Sequence, residues 1–120
     1  MKFFFNSSNN KEAVKAKDAY IKKYGQSEIS KCDIIIPIGG DGFLLKNLHS
    51  YNELNIPFFG INYGSIGFLM NTKDDNDLTK IIEKSKETIL KPLEMNGKDM
   101  DDNPFHSTAY NEVSLMRQSH

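Results

Sequence analysis

The stretch "IIIPIGGDGFLLKNL", residues 34–48, changes in the middle from the apolar pattern of a strand to that of a helix. Residues 32–38 ("CDIIIPI") form a short, continuous apolar run rich in β-branched side chains, which is typical of a strand buried on both faces. After Gly42 the apolar residues recur at the spacing of one helix face, at Leu44, Leu45, Leu48 and Tyr51. The sequence therefore predicts a buried strand, a glycine-rich connection and a helix. Pro37 cannot donate a ladder hydrogen bond, so we expect the strand to end there or to lie at a sheet edge.

The neighbouring segments repeat this alternation of strand and helix. "KFFFN" (residues 2–6) and "FFGIN" (residues 58–62) are typical of short strands, and a helix is predicted between an N-cap at Asn9 or Asn10 and a stop at Gly25. "TKDDNDLTKIIEKSKE" predicts another helix, with Leu78, Ile81 and Ile82 as its apolar stripe. Residues 1–86 therefore predict an α/β domain, a Rossmann-like parallel sheet with flanking helices.

Residues 87–120 have a different character. "TILKPLEMNG" and "HSTAYNEVSLMR" predict two strands with no helix between them. These strands either pair as a hairpin or are the first strands of a second, β-rich domain that resembles a sandwich and is cut short. Strands that normally join a larger sheet would leave unpaired edges, so we expect either self-association into a homo-oligomer or partial disorder in this region.

Composition excludes several classes of function. The chain has 120 residues, a common size for one domain, and a formal net charge of −1, which argues against broad nucleic-acid binding. No apolar run approaches the roughly 20 residues that a membrane helix needs, so we expect no membrane contact. The single cysteine, Cys32, cannot form an intramolecular disulfide, and the simplest compartment is the reducing cytoplasm. No metal-ligand spacing joins Cys32 to the three histidines, so no protein metal site is predicted.

The tetrad Gly39-Gly40-Asp41-Gly42 is the first candidate for chemistry. It follows a predicted strand and opens a helix, where unpaired N–H groups attract anions and glycines let a phosphate approach the backbone. Asp41 is unexpected there, because a carboxylate repels phosphate. It fits if it accepts a hydrogen bond or proton from a substrate hydroxyl or helps to hold Mg²⁺. The alternative is that Asp41 only caps the helix, and spacing alone does not decide between them.

Neither common nucleotide-binding fingerprint is present. The chain has no G-x-x-x-x-G-K-[ST] run, and in the glycine-rich run from Gly60 to Gly67 the first gap is too wide for G-x-G-x-x-G. This run still follows a predicted strand, so it is a second place where backbone could approach a ligand.

Three motifs in order resemble the NAD kinases. They are "GGDG", then "GINYGSIGFL", then "YNEVSL". The resemblance implies an α/β domain followed by a β-sandwich domain. It also implies transfer of the γ-phosphoryl group of ATP, or of polyphosphate in some members, to the 2′-hydroxyl of the adenosine ribose of NAD, assisted by Mg²⁺ or another divalent cation.

The resemblance also implies roles for particular residues. Asp41 would contact the ribose hydroxyl as the general base or close to it, and Gly39, Gly40 and Gly42 would line the phosphate path. Phe68 would pack near the adenine of NAD. Asn111 and Glu112 would contact the ribose and adenine region; without the other motifs, this pair is typical of an exposed strand start.

The chain departs from the family pattern in two respects. Phe43 stands where members often have threonine, which removes a hydroxyl near the phosphates. The resemblance also reaches only about the first half of a typical member. Two alternatives therefore stay open: a catalytically incomplete nucleotide-binding fragment, and a lipid or sugar kinase that shares the GGDG signature.

Overall fold

The computed structural model describes residues 1–63, 69–73, 76–91 and 112–118. The helices and strands, in chain order, are β1 (Phe3–Ser7), α1 (Lys11–Tyr24), β2 (Ile34–Gly39), α2 (Asp41–Tyr51), a 3-10 turn (Asn52–Leu54), β3 (Ile61–Asn62), α3 (Leu78–Glu83), β4 (Lys86–Leu90) and β5 (Val113–Arg117). No helix within these described ranges is both long and apolar enough to span a lipid bilayer.

The first three strands form a parallel sheet in the order β1-β2-β3. Strand β1 pairs with β2 from Phe3↔Ile34 to Ser7↔Ile38, and β2 pairs with β3 at Ile38↔Ile61 and Gly39↔Asn62. All six residues of β2 are buried, as its continuous apolar run predicts. The expected α/β fold with a parallel sheet and flanking helices is confirmed.

Helices α1 and α2 pack on opposite faces of this sheet. Side chains alternate along a strand, so Ile34, Ile36 and Ile38 of β2 pack in the same core cluster as α1 and α3, whereas Ile35 packs with α2. The predicted face of α2 is confirmed: Leu44 and Leu48 are fully buried, and Leu45 and Tyr51 pack against the same cluster. Asn10 caps α1, and Gly25 ends it at φ 85°.

Pro37 corrects one expectation, because it lies inside the central strand rather than at its end or at an edge. On the β3 side, the N–H of Ile35 bonds to the Pro57 carbonyl, and the Gly39 carbonyl accepts from the N–H of Tyr63. Pro37 lies between these two residues and faces the same neighbour, since alternate residues of a parallel strand bond to the same side. Pairing on that side is limited to a bridge at Ile35↔Phe58 and a ladder that starts at Ile38↔Ile61. A gap in this ladder therefore accommodates the missing N–H.

The predicted strands after residue 86 form an antiparallel pair, from Lys86↔Arg117 to Leu90↔Val113. The segment between them is largely outside the described residues. Strand β5 also runs parallel to the chain at Phe58, whose N–H donates to the Ser114 carbonyl at 2.8 Å and whose carbonyl accepts from Met116 at 2.7 Å. The pair thus extends the main sheet on the β3 side. A separate second domain that begins at residue 87 stays a prediction.

Candidate functional site

The GGDG tetrad lies where the central strand becomes a helix. Strand β2 ends at Gly39, Gly40 occupies the N-cap position, and α2 begins at Asp41. The first intrahelical hydrogen bond runs from the N–H of Leu44 to the Gly40 carbonyl at 3.0 Å. Unlike α1, which Asn10 caps, α2 has a glycine at its N-cap position, and glycine has no side chain that could cap the helix. The first turn of α2 therefore lies at the carboxyl end of the sheet without a cap from its own N-cap residue.

The connections between the strands predict a crevice at this end of the sheet. The chain leaving β1 runs to α1 on one face, and the chain leaving β2 runs to α2 on the other. Where adjacent parallel strands send their connections to opposite faces, a crevice opens at their carboxyl ends, and open α/β proteins bind ligands there. We call this place the β1–β2 crevice: Ser8 lies on one side, and residues 39–42 on the other.

Glycine occupies the three glycine positions of the tetrad for different reasons. A Cβ atom on the buried Gly39 would lie 3.1 Å from Oγ of Ser8 and 3.3 Å from Cβ of Phe43, so close packing requires glycine there. A Cβ on Gly40 or Gly42 would have no atom within 4 Å among the described residues. Gly40 has φ −115° and ψ −175°, an extended conformation that any residue adopts, and Gly42 has no positive φ. Neither packing nor backbone geometry explains these two glycines, whereas access of a ligand to the backbone does.

Asp41 does not cap α2. The N-cap residue is Gly40, and Asp41 is the first residue of the helix. Its Oδ1 accepts a hydrogen bond from the backbone N–H of Leu69 at 3.1 Å, across 28 residues of sequence. The capping interpretation is therefore wrong. The half-buried carboxylate is instead held against the chain that follows the second glycine-rich run.

Asn71 anchors that returning chain to the sheet. Its backbone N–H and its side-chain Nδ2 both donate to the Gly60 carbonyl, at 2.9 Å each. Nδ2 also donates to the Met116 carbonyl at 3.2 Å, and Oδ1 accepts from the N–H of Gln118 at 2.7 Å. Only 5 % of Asn71 is exposed. One buried amide thus joins the segment that carries Leu69 to the chain just before β3 and to β5.

The predicted site residues are only partly brought together. Gly39, Gly40, Asp41 and Gly42 form one loop at the carboxyl end of the sheet, whereas Phe68 and Asn111 lie outside the described residues. Glu112 is exposed and directly precedes β5. Because Ile35, Phe58 and Leu115 are aligned on parallel strands, Glu112 lies towards the amino end of the sheet, away from Asp41. Within one copy of the described chain, Asp41 and Glu112 do not share a site.

No three histidine, cysteine, aspartate or glutamate side chains converge in the described ranges. Burial is the main cause that raises the pKa of the Cys32 thiol, which disfavours the thiolate that binds metals. The described part therefore offers no all-protein metal cage. Mg²⁺ in kinases commonly needs only one or two carboxylates together with substrate phosphates, and Asp41 is a carboxylate at the crevice. The residues present fit a cation that arrives with a nucleotide.

Sequence reasoning missed Ser8, Leu69 and Asn71. Leu69 contributes a backbone N–H, which has no sequence signature, and its partner is remote along the chain. Ser8 and Asn71 belong to polar runs that are typical of loops, "NSSNN" and "MNTK". The one available signal was their position after predicted strands or motif residues, where polar side chains reach the carboxyl end of a parallel sheet.

Comparison with known proteins agrees with the motifs. The ATP-NAD kinase N-terminal domain matches residues 2–88. The chain is similar to an NAD kinase of Rickettsia canadensis (strain McKiel), with 49 % identity over 98 residues, 82 % of this chain and 38 % of the relative. It is also similar to NAD kinases of Xylella fastidiosa (strain 9a5c), with 38 % identity over 97 % of this chain and 44 % of the relative, and of Cereibacter sphaeroides, with 40 % identity over 94 % and 44 %.

The matched region contains the GGDG loop, the β1–β2 crevice and all of β1 to α3. The chain spans about two fifths of the length of these relatives, 38 % to 44 %. Since the domain match extends over most of the chain, and the loop has the geometry described above, the chain belongs to the NAD kinase family.

Proposed function

We propose that the intact protein transfers the γ-phosphoryl group of ATP to the 2′-hydroxyl of the adenosine ribose of NAD and so forms NADP. The observation that carries this proposal is the GGDG loop. It places a carboxylate next to two glycines, and no atom of the described residues lies close enough to require that they lack side chains. Phosphoryl transfer depends mainly on positioning and charge stabilisation, and this loop offers both an acceptor and open backbone.

Asp41 is the proposed acceptor for the ribose hydroxyl. A carboxylate has two oxygens and can accept several hydrogen bonds, so the bond from Leu69 orients the group without exhausting it. An oriented carboxylate next to the hydroxyl would take up its proton as the oxygen attacks phosphorus. The role that we propose for Asp41 is therefore that of general base.

Gly40 and Gly42 are the proposed lining of the phosphate path, together with Gly39. A phosphate that reaches the first turn of α2 would meet backbone N–H groups that the N-cap residue Gly40 does not cover, and the positive end of the helix dipole. A divalent cation, Mg²⁺ in our proposal, would neutralise charge on the phosphates when bound, and Asp41 is the described carboxylate positioned to help hold it.

Phe68, Asn111 and Glu112 stay proposed contacts of NAD. Family resemblance supports them, as adenine packing for Phe68 and as hydrogen bonding to the nucleoside for the Asn-Glu pair. Because Glu112 lies at the other end of the sheet from Asp41, its contact with the same NAD would need a further part of the intact protein or a second copy. We also propose a homo-oligomer, and action in the reducing cytoplasm in view of the lone Cys32.

A second candidate function rests on the length of the chain. Because it spans 38 % to 44 % of its relatives, the 120-residue chain by itself would bind nucleotide without turnover. Calorimetry with ATP and with NAD on this chain, next to a turnover assay, separates the two candidates. Clear NADP formation by this chain alone would reject the second.

The direct test of the catalytic assignment is Asp41→Ala in the intact protein. Loss of a general base typically lowers turnover by about 10² to 10⁴-fold, and we expect a loss of that size in NADP formation. Circular dichroism and a urea titration check that the variant folds. The matched control is Asp33→Ala, which removes an exposed carboxylate just before the amino end of β2 and should leave turnover unchanged. Normal turnover in Asp41→Ala would reject the assignment.

A further inference from the structure

We propose that Ser8 is a further substrate-binding residue, whose hydroxyl donates a hydrogen bond to a phosphate of the nucleotide donor in the β1–β2 crevice. The proposal rests on the kinase function proposed above and adds a residue from the wall opposite the GGDG loop.

Alternation along β1 sets the direction of Ser8. Asn6 faces α2, because its Nδ2 donates to Oδ1 of Asn47 at 3.0 Å. Ser8 lies two residues further and faces the same side, whereas Ser7 faces the side of α1. The N–H of Ser8 donates to the Ile38 carbonyl at 3.0 Å, so the backbone at Ser8 is fixed against β2.

The hydroxyl of Ser8 lies against the first glycine of the tetrad. A Cβ atom built on Gly39 would be 3.1 Å from Oγ of Ser8 and 3.2 Å from its Cβ. A side chain at residue 39 would therefore crowd this hydroxyl, and Ser8 would have to shift by a few tenths of an ångström. This contact places Ser8 at the side of the crevice, next to the backbone that leads into Gly40 and Asp41.

Two polar side chains close to Ser8 in sequence already have structural partners. Asn6 bonds to Asn47, and Asn10 caps α1 by accepting from Glu12 and Ala13. The half-buried hydroxyl of Ser8 has no hydrogen-bond partner among the described residues. Half-buried hydroxyls usually have a partner in the protein or in solvent, so a ligand group is a natural partner for one inside a ligand crevice.

The chemistry of the crevice favours phosphate as that group. A serine hydroxyl is neutral and can donate, so it stabilises a phosphate oxygen without the repulsion that Asp41 introduces. The space beside Gly40 and Gly42, where no atom of the described residues would meet a side chain, would admit the same phosphate. Ser8 on one wall and the first turn of α2 on the other would hold one phosphate from two sides, while Asp41 holds the acceptor hydroxyl.

The test is Ser8→Ala in the intact protein, with Ser7→Ala as the matched control from the opposite face of β1. Dissociation constants for ATP and for NAD are measured separately by calorimetry, without turnover. Loss of one hydrogen bond to a charged group should raise the dissociation constant for ATP about tenfold. The constant for NAD should be unchanged, and Ser7→Ala should match the parent protein for both ligands.

Three results would overturn the assignment: unchanged ATP binding in Ser8→Ala, an equal loss in Ser7→Ala, or a loss confined to NAD. The outcome is distinguishable from failure of the kinase proposal. If the parent protein forms no NADP while Ser8→Ala still weakens ATP binding about tenfold, the function is wrong and the phosphate contact stands.

Discussion

Gly42 is exposed, lies inside the first turn of α2, and has open space where a side chain would be. Alanine is a better helix former than glycine by roughly 1 kcal/mol in a helix interior. If stability alone decided this position, glycine would be a poor choice. Access for a ligand is the explanation that we favour. On this explanation, a side chain at residue 42 should increase stability but weaken binding.

We therefore predict that Gly42→Ala raises the free energy of unfolding by about 0.5 kcal/mol and weakens ATP binding, because the methyl group occupies space that we assign to phosphate. Urea titration and calorimetry measure the two effects. Gly39→Ala is the contrast: its new Cβ would press on Ser8 and Phe43, so it should lower stability. A Gly42→Ala protein that binds ATP as tightly as the parent would contradict the phosphate path.

The sequence identified Asp41 and its three glycines as a candidate site, because their order is unusual between two apolar segments. It could not decide between a helix cap and a site. That decision depends on whether the carboxylate bonds to its own helix or to Leu69, which is 28 residues away in sequence. A one-dimensional pattern contains local spacing but not such a contact.

The segment that contains Leu69 and Asn71 links β3 and β5 to the GGDG loop. Asn71 donates to the chain before β3 and both donates to and accepts from β5, while Leu69 holds Asp41. Deleting this amide should do more than lower stability, because it also loosens the segment that orients Asp41.

We predict that Asn71→Ala lowers the free energy of unfolding by about 1 to 3 kcal/mol, since the Gly60 and Met116 carbonyls and the N–H of Gln118 each lose a hydrogen bond to its side chain. It should also reduce turnover about 10-fold or more, because small displacements of a reacting group are costly. The control is Asn52→Ala, which removes another buried amide (3 % exposed) that bonds to His49 at the end of α2 remote from Asp41. Equal losses of turnover in the two variants would reject the orienting role.

The order of strands and helices was predictable because periodicity switches cleanly along the chain. Pro37 was misjudged because the rule for proline assumes an unbroken ladder on both sides. Here the ladder towards β3 has a gap at that position. The buried Asn47 of α2 was also invisible to apolar spacing, since its amide oxygen accepts from Asn6 of β1, a partner 41 residues away in sequence.

In the molecule as a whole, the two edge strands of the described sheet, β1 and β4, differ in how far they are covered. The outer edge of β1 is covered: the side chain of Gln26 bonds to both the N–H and the carbonyl of Phe5, at 2.8 and 2.9 Å, and Ser27 donates to the Phe3 carbonyl. Such cover blocks strand addition. Association of two copies by strand pairing would therefore use the edge formed by β4, where Ile89 is 53 % exposed. Self-association itself stays a prediction that sedimentation can measure.

NADP formation is proposed for the whole protein, because Asp41 and Glu112 lie at opposite ends of the sheet in one described chain. The most direct measurement is to incubate the intact protein with NAD, ATP and Mg²⁺ and to follow the products by ³¹P NMR. We predict a new phosphate on the 2′-oxygen of the adenosine ribose, formed in step with ADP. No transfer to NAD, or transfer only to a lipid or a sugar phosphate when these are supplied instead, would contradict the account.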